Sequence, residues 1–444
     1  MKKDLTKGRP ITLILLFSIP LLIGNIFQQC YNMIDTIVVG RYVSMEALAA
    51  IGATSSLVFL IIGFINGITS GCSIITAQRY GAKDNDGVRT SFACSIVINL
   101  CITLIFTFIG FVASYPLLEL LQTPSDIIDL SHTYLLIIYG GAITTSCYNV
   151  LSSTIRAVGD SRTPLYFLVI SGFLNIILDL LFTIVFPWGI SGVAYATVIA
   201  QALSGILCFI YMRKKFPLLC FSKKDFRLSK DTILLHLKTA IPMAVQFSIT
   251  SLGFMAVQGS LNQFGSSTIA AYTAAGKVEQ FVTLPFSTFG VTMATYTAQN
   301  LGAGYIDRIR KGVFQCFLLS LGVAFLGLII SYLFEEPLLS IFISQGNESI
   351  MTDAVHYLHI VSLFFPLLGV IFIYRNSLQG IGITLLPLVV SLVELAVRGG
   401  VSYTLPNILG YTGICLASPI SWIFASTIIY VRYRIWLTQK SSRI

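Results

Sequence analysis

Charge is what this 444-residue sequence most lacks: Asp, Glu, Lys and Arg make up 11% of it, against about 25% in an ordinary soluble domain. Hydrophobic residues make up 55%, more than one soluble core can hide. A soluble globule is therefore excluded, and an apolar solvent must surround most of the chain. Catalytic signatures are missing as well. There is no GxSxG, no HExxH, no phosphate-binding GxxxxGK[ST] and no cluster of metal-ligand spacing, so neither an enzyme nor a nucleotide-driven machine is expected. The nine cysteines, at 30, 72, 94, 101, 147, 208, 220, 316 and 415, form no CxxC and lie almost all in apolar runs, so no disulfide or zinc site is expected. A net charge of +9 does not imply a nucleic-acid partner here, because the basic residues sort by membrane side.

A spanning helix needs roughly 20 mostly apolar residues. Twelve such stretches are present, near 10–39, 47–75, 90–117, 131–153, 163–187, 190–212, 232–260, 267–297, 310–334, 352–378, 384–406 and 411–435. The sequence thus predicts an all-α, polytopic membrane protein. Several stretches exceed the minimum length, which implies tilt or kinks, and Pro20, Pro242, Pro285, Pro366 and Pro419 are candidate bends because proline removes a helical hydrogen bond. The basic start Met1-Lys2-Lys3 is like the head of a signal peptide, but a run of spanning length without a cleavage site follows, so retention is expected. Of the 28 Lys and Arg, all but Arg41, Lys277 and Arg398 fall on the N-terminus's side of the membrane or at that end of a span, Arg375 among them. By the positive-inside rule both termini are cytoplasmic, the span count is even, and the chain is a multi-pass protein of the cytoplasmic (inner) membrane.

The two halves repeat. Thr76-Ala77-Gln78 with Gly81-Ala82 returns as Thr297-Ala298-Gln299 with Gly302-Ala303; Ala49-Ala50 returns as Ala270-Ala271, Gly189-Ile190-Ser191-Gly192 as Gly410-Tyr411-Thr412-Gly413, and Ile19-Pro20 as Ile241-Pro242. Six spans per half start both halves on the same side, which makes them pseudo-symmetric parallel repeats about an axis along the membrane normal. The expected organisation is an N-lobe over 1–212, a basic cytoplasmic linker over 213–231 and a C-lobe over 232–444. Two such lobes, without a nucleotide site, suit a secondary transporter working by alternating access.

Four acids fall inside spans: Asp35, Asp179, Glu279 and Glu394. A mid-bilayer charge costs roughly 2.5–3.5 kcal/mol on insertion scales, so each is a site candidate. Asn175 lies one turn before Asp179 on the same helical face, a carboxylate and an amide suited to a proton or a small cation. Asp35 and Thr197 lie at similar depth, although Asp35 at the end of its span would also serve as an interfacial cap. The second half does not repeat this acid set: Val257 or Gln258 stands for Asp35, and Ser402 for Asp179. Instead it offers a possible polar site from Gln258, Lys277, Glu279, Glu394 and Arg398. Glu394 and Arg398, four apart in the favourable order, are expected to pair. Lys277 and Glu279 need partners from other helices. His356 and His359, on one face without a carboxylate, are expected to be structural.

The run Gln28-Gln29-Cys30-Tyr31-Asn32-Met33-Ile34-Asp35-Thr36-Ile37-Val38-Val39-Gly40-Arg41, then Ala47-Leu48-Ala49-Ala50-Ile51-Gly52, resembles the multidrug and toxic compound extrusion (MATE) family. So do Gln78-Arg79-Tyr80-Gly81-Ala82, Arg156-Ala157-Val158-Gly159-Asp160 with Pro164, and Asn175-Ile176-Ile177-Leu178-Asp179, and the resemblance covers essentially the whole chain. It implies a V-shaped pair of six-helix lobes around a central cavity, exporting cationic amphipathic drugs or metabolites in exchange for protons or sodium ions. It implies a cation-coupling site at Asp35, Asn175, Asp179 and Thr197, with a possible sodium ion at the first three, a hinge at Pro20, and no cofactor beyond the coupling ion. The seventh span carries Gln246 and Gln258 but no carboxylate, so no ion site is expected there. Partners are small organic cations and membrane lipids, with a monomer as the working unit. The alternative within the same superfamily is a flippase for a lipid-linked oligosaccharide or lipid intermediate, for which Arg398 and Lys277 would meet a phosphate.

Overall fold

The computed structural model describes residues 4–343 and 347–441. The start Met1-Lys2-Lys3 and Arg443 lie outside them. Among the described residues the secondary structure is helical, without strands. In order the helices are α1 (Pro10–Val38), α2 (Met45–Gly81), α3 (Asn85–Leu120), α4 (Ile128–Gly140), α5 (Ala142–Ala157), α6 (Arg162–Leu180), α7 (Gly189–Lys215), α8 (Lys230–Leu261), α9 (Ser266–Gly302), α10 (Ile306–Leu333), α11 (Glu335–Leu339), α12 (Glu348–Ser362), α13 (Phe365–Gly380), α14 (Leu385–Thr404), α15 (Pro406–Leu409), α16 (Tyr411–Cys415) and α17 (Ala417–Ser441). Polar side chains start two of the long helices. Ser44 accepts the Ala47 N–H at 3.0 Å before α2, and Asp84 accepts the Gly87 N–H at 2.9 Å before α3, each satisfying a backbone donor that the first turn leaves open.

Nine helices are long and apolar enough to cross a membrane, and two bent pairs raise the number to eleven among the described residues. The remaining long helix, α9, has 37 residues, about 55 Å at 1.5 Å per residue and ample for a core of about 30 Å. Its many Thr, Gly, Ala and polar residues keep it below the apolar measure the others meet. Outward-facing side chains are large and apolar, with Phe108 69%, Phe325 65% and Leu333 71% exposed, a surface that only lipid solvates well. The chain is a polytopic membrane protein.

Bends fall only in part on the prolines. The α12–α13 break turns by 52° with Pro366 in the first turn of α13, whereas the 43° turn between α4 and α5 falls at Gly140-Gly141, where no proline stands. Pro20, Pro242 and Pro285 lie inside helices that continue through them, and Pro419 is the third residue of α17, where a missing N–H costs nothing. The repeated glycines Gly189 and Gly410 both adopt φ +58°, a conformation that costs a side chain strain and glycine none.

Two compact units emerge: one holds Met1–Asp4 and Ile19–Ser248, the other Leu5–Ser18 and Ile249–Ile444. The division passes through α1, just before Pro20, and through α8. Between α7 and α8, Phe216 and Leu219 are buried in the first unit's core with Phe92, Ile155 and Met212. In the first unit, His236 Nε2 lies 2.8 Å from the Ser91 hydroxyl, which in turn meets Thr76 at 2.9 Å. In the second, Leu5 N–H donates to Gln299 at 3.1 Å, and Arg308 donates to Asn300 and the Gly8 carbonyl, each at 3.0 Å. Both copies of the repeated Thr-Ala-Gln motif thus anchor the chain segment that enters their unit.

Candidate functional site

The acidic cluster of the first unit is assembled by the packing of α1 on α6. Asp160 opens α6 by accepting the Arg162 and Thr163 N–H groups at 2.9 and 3.1 Å and the Thr163 hydroxyl at 2.8 Å. Ten residues into α6, Gly172 leaves room for Phe27 of α1; a Cβ there would sit 2.5 Å from the ring. Phe27 and Phe173 also meet, with centroids 5.6 Å apart. Two turns beyond this contact on each helix stand Asp35 and Asp179, which therefore arrive together.

Asp179 is fully buried and Asn175 is 3% exposed. Asn175 Nδ2 donates to the Thr197 hydroxyl of α7 at 3.4 Å. The Asp35 and Asp179 carboxyl groups lie close enough to act on each other electrostatically, and both act on Tyr31 and on Tyr134 of α4. All four oxygen-bearing residues named from the sequence are thus brought into one unit, and the two tyrosines join them. Asp35 Oδ1, Asn175 Oδ1 and both Asp179 carboxyl oxygens are buried without a hydrogen-bond partner. Buried acceptors left unpaired cost about 1–3 kcal/mol each, more when charged, so a proton or a cation is what completes the cluster chemically. A π-helical turn follows each acid, Val39–Val43 after α1 and Leu181–Val185 after α6, and such turns are rare and concentrate at functional sites.

Below this cluster the same unit holds a cavity of about 240 Å³ lined by Pro20, Gln28, Asn66, Asn149 and Arg156 among others. Asn149 donates to Asn66 at 2.6 Å and Arg156 to Ser152 at 2.6 Å. Gln28 bonds Tyr31, so polar groups run from the cavity toward Asp35. Tyr31 was legible as the residue one turn before Asp35. Tyr134 had no local signal, since only tertiary packing brings α4 to α1.

The second unit places its polar residues differently. A shift of 223 positions carries Asp35 to Gln258, Tyr31 to Phe254, Tyr134 to Tyr357, Asn175 to Arg398 and Asp179 to Ser402. The structure brings the counterparts together too: Arg398 lies 5.5 Å over the Phe254 ring, Tyr357 donates to Glu279 at 2.7 Å, and Arg398 acts electrostatically on Glu279. Arg398 is 8% exposed and its Nε is buried without a partner. The duplicated position has exchanged an acid cluster for a guanidinium with one acid nearby. Gln258 donates instead to Asn262 at 3.1 Å, and Lys277 is exposed with no ion pair among the described residues.

Glu394 does not pair with Arg398. Its Oε2 accepts Arg375 Nη2 at 2.9 Å, with side chains 11% and 13% exposed, so Arg375 belongs inside the unit rather than in a loop. The i,i+4 rule sees only α14, while α13 presents a nearer cation. Removing one partner of a buried pair strands the other, so Arg375→Gln is expected to cost about 3–5 kcal/mol. Thermal unfolding in detergent checks this; a double Arg375→Leu, Glu394→Leu variant more stable than the single one is the expected pattern. His359 also has a carboxylate partner, which its own helix did not reveal: it hydrogen-bonds Glu335 and stacks on Tyr332, with centroids 4.0 Å apart. His356 meets the Thr412 hydroxyl at 2.9 Å.

Comparison with known proteins fits this duplicated, cluster-bearing architecture. The sequence model of the family described as MatE matches twice, at residues 20–181 and 242–404, one match per repeat. The chain is 30% identical over 440 residues, 98% of each chain, to the probable multidrug resistance protein YpnP of Bacillus subtilis (strain 168). It is 26% identical to an FAD transporter of Shewanella oneidensis, covering 93% of this chain and 92% of that one. A solved MATE in complex with MaL6 has the same fold, with a TM-score of 0.93, 21% identity and 99% of both chains covered. With both repeats matched and a relative aligned end to end, the chain belongs to the MatE family of membrane transporters.

Proposed function

We propose that the protein is a secondary active antiporter that exports cationic amphipathic drugs or metabolites in exchange for protons or sodium ions. The observation that carries this is the set of unpartnered buried oxygens on Asp35, Asn175 and Asp179, with Thr197 beside them, in a chain of this family. Two carboxylates at one place repel unless a proton or cation sits between them. Entry of that ion and departure of the cargo then compete for the same electrostatic balance. Pro20, in the wall of the polar cavity and next to the unit division, is the proposed hinge, since a helix lacking one internal hydrogen bond bends there at low cost. In this reading both termini face the cytoplasm, the protein resides in the inner membrane, and it works as a monomer.

The test is ethidium accumulation in cells lacking their own exporters, at matched membrane expression. The protein is expected to lower accumulation. Loss of that effect on adding an uncoupler identifies protons as the driving ion; persistence with loss on sodium removal identifies sodium. No effect on accumulation overturns cation export.

A second reading is an anionic cargo, as for a flippase of lipid-linked intermediates. It draws on Arg398, a buried guanidinium whose Nε lacks a partner, and on the FAD transporter among the relatives. Transport of a fluorescent anion but not ethidium would favour it.

A further inference from the structure

A cavity of about 640 Å³ on the second unit is lined by α10, α13 and α17. Arg310 and Lys311, near the start of α10, and Arg434, near the end of α17, stand in its wall. No acidic side chain lines it, and none of the three cations makes an ion pair among the described residues. Arg434 is positioned rather than loose: it donates to the Tyr430 hydroxyl at 3.2 Å and lies 5.9 Å over that ring. Apart from the hydroxyls of Ser426 and Thr427, the rest of the lining is aromatic or aliphatic, with Phe314, Phe317, Val370 and Leu437 among it. The apolar surface continues outward through Phe314 and Leu318, 56% and 49% exposed.

Uncompensated positive charge beside lipid-facing apolar surface suits a molecule that is anionic at one end and apolar at the other. The three cations stand near the ends of α10 and α17 that also carry Arg308 and Arg432, and such clustering of basic residues at helix ends marks the headgroup level on the positive side. Three cations held together repel, so the cavity is more stable with a phosphate among them. Basic pockets between membrane helices on the positive side are suited to such headgroups. We propose that this cavity is a binding site for the headgroup of an anionic phospholipid of the leaflet on the N-terminus's side, with the guanidinium groups of Arg310 and Arg434 and the Lys311 ammonium holding the phosphodiester.

Trp436 reports on the site, since its ring lies 6.0 Å from that of Tyr433, which lines the cavity. In a Trp188→Phe, Trp422→Phe background, the purified full chain is titrated in detergent micelles with dibrominated phosphatidylglycerol or with phosphatidylcholine bearing the same chains. Phosphatidylglycerol is expected to quench Trp436 at a much lower lipid fraction, by about fivefold for each participating cation. Arg310→Gln, Lys311→Gln and Arg434→Gln combined should bring the two lipids to parity, while Arg310→Lys with Arg434→Lys keeps most of the preference. Should the triple variant fail to fold, raising salt on the unmutated cavity serves instead, because screening must shrink the preference. Equal quenching by both lipids, or a preference untouched by the triple variant or by salt, overturns the proposal. Loss of the preference in millimolar inorganic phosphate also overturns it, assigning the site to free phosphate. The readout involves no transport, so its outcome is separate from that of the export reading.

Discussion

Asp179→Asn is expected to abolish driven efflux while leaving a folded protein in the membrane. The substitution keeps the volume and removes the charge. Asp179 is fully buried, and its carboxyl group has no donor in the chain, only the Asp35 carboxyl group beside it. An amide there brings two donors into a place that holds Asp35 Oδ1 and Asn175 Oδ1, both also unpartnered. A neutral amide beside Asp35 removes one of the two repelling charges without changing the volume, so the fold should tolerate it and the need for an exchangeable ion falls. Asp35→Asn acts in the same way from α1. One bound ligand commonly changes the affinity for a linked one by roughly 5- to 150-fold, and losing the ion removes that whole factor. Efflux of ethidium from loaded cells, measured beside membrane abundance and the unfolding temperature of the purified variants, separates coupling from folding. Thr197→Ala should do less, since its contact to Asn175 is long at 3.4 Å. Full efflux by both Asp35→Asn and Asp179→Asn would remove the cluster from the mechanism.

The cluster was legible because its signals are local. A carboxylate inside an apolar run stands out, and Asn175 one turn from Asp179 shares its helical face by spacing alone. What the spacing could not supply was the partner across helices. Glu394 illustrates the limit: Arg398 stood at the favourable offset, yet Arg375 on α13 is the residue that reaches it. Tyr134 and Glu335 belong to the same class, each brought in by a neighbouring helix. The spans were legible from hydrophobic length, except that the bend at Gly140-Gly141 has no proline to announce it. In the polar segment 213–231 most side chains are exposed, but Phe216 and Leu219 dip into the first unit's core. The duplication proved the most informative feature, since its offset relates Asn175 to Arg398 and so exposes an inversion of charge that neither half shows alone.

Gly67→Leu should be the most damaging change to stability outside the charged residues. Gly63, Gly67 and Gly71 recur every fourth residue on one face of α2, and Ala240 and Ala244 do so on α8. In lipid there is no hydrophobic drive between helices, so close backbone approach through small residues supplies the packing. That approach is extreme here: a Cβ on Gly67 would lie 2.4 Å from Ala244 Cα, and one on Gly71 2.4 Å from Ala240 Cα. The obstructing atoms are backbone, which no rotamer change can move, so α8 itself must back away and surrender the contacts that Ile68, Cys72 and Cys94 make with it. Overpacking of this kind costs about 3 kcal/mol or more. Gly52 provides the matched control, being a glycine of the same helix with nothing within 4 Å of its would-be Cβ. Gly52→Leu should hold or slightly raise the unfolding temperature, by the roughly 1 kcal/mol that separates glycine from good helix formers. Thermal unfolding of both variants in one detergent decides the matter. Equal unfolding temperatures for Gly67→Leu and Gly52→Leu would mean that the α2–α8 contact contributes little to holding the first unit together.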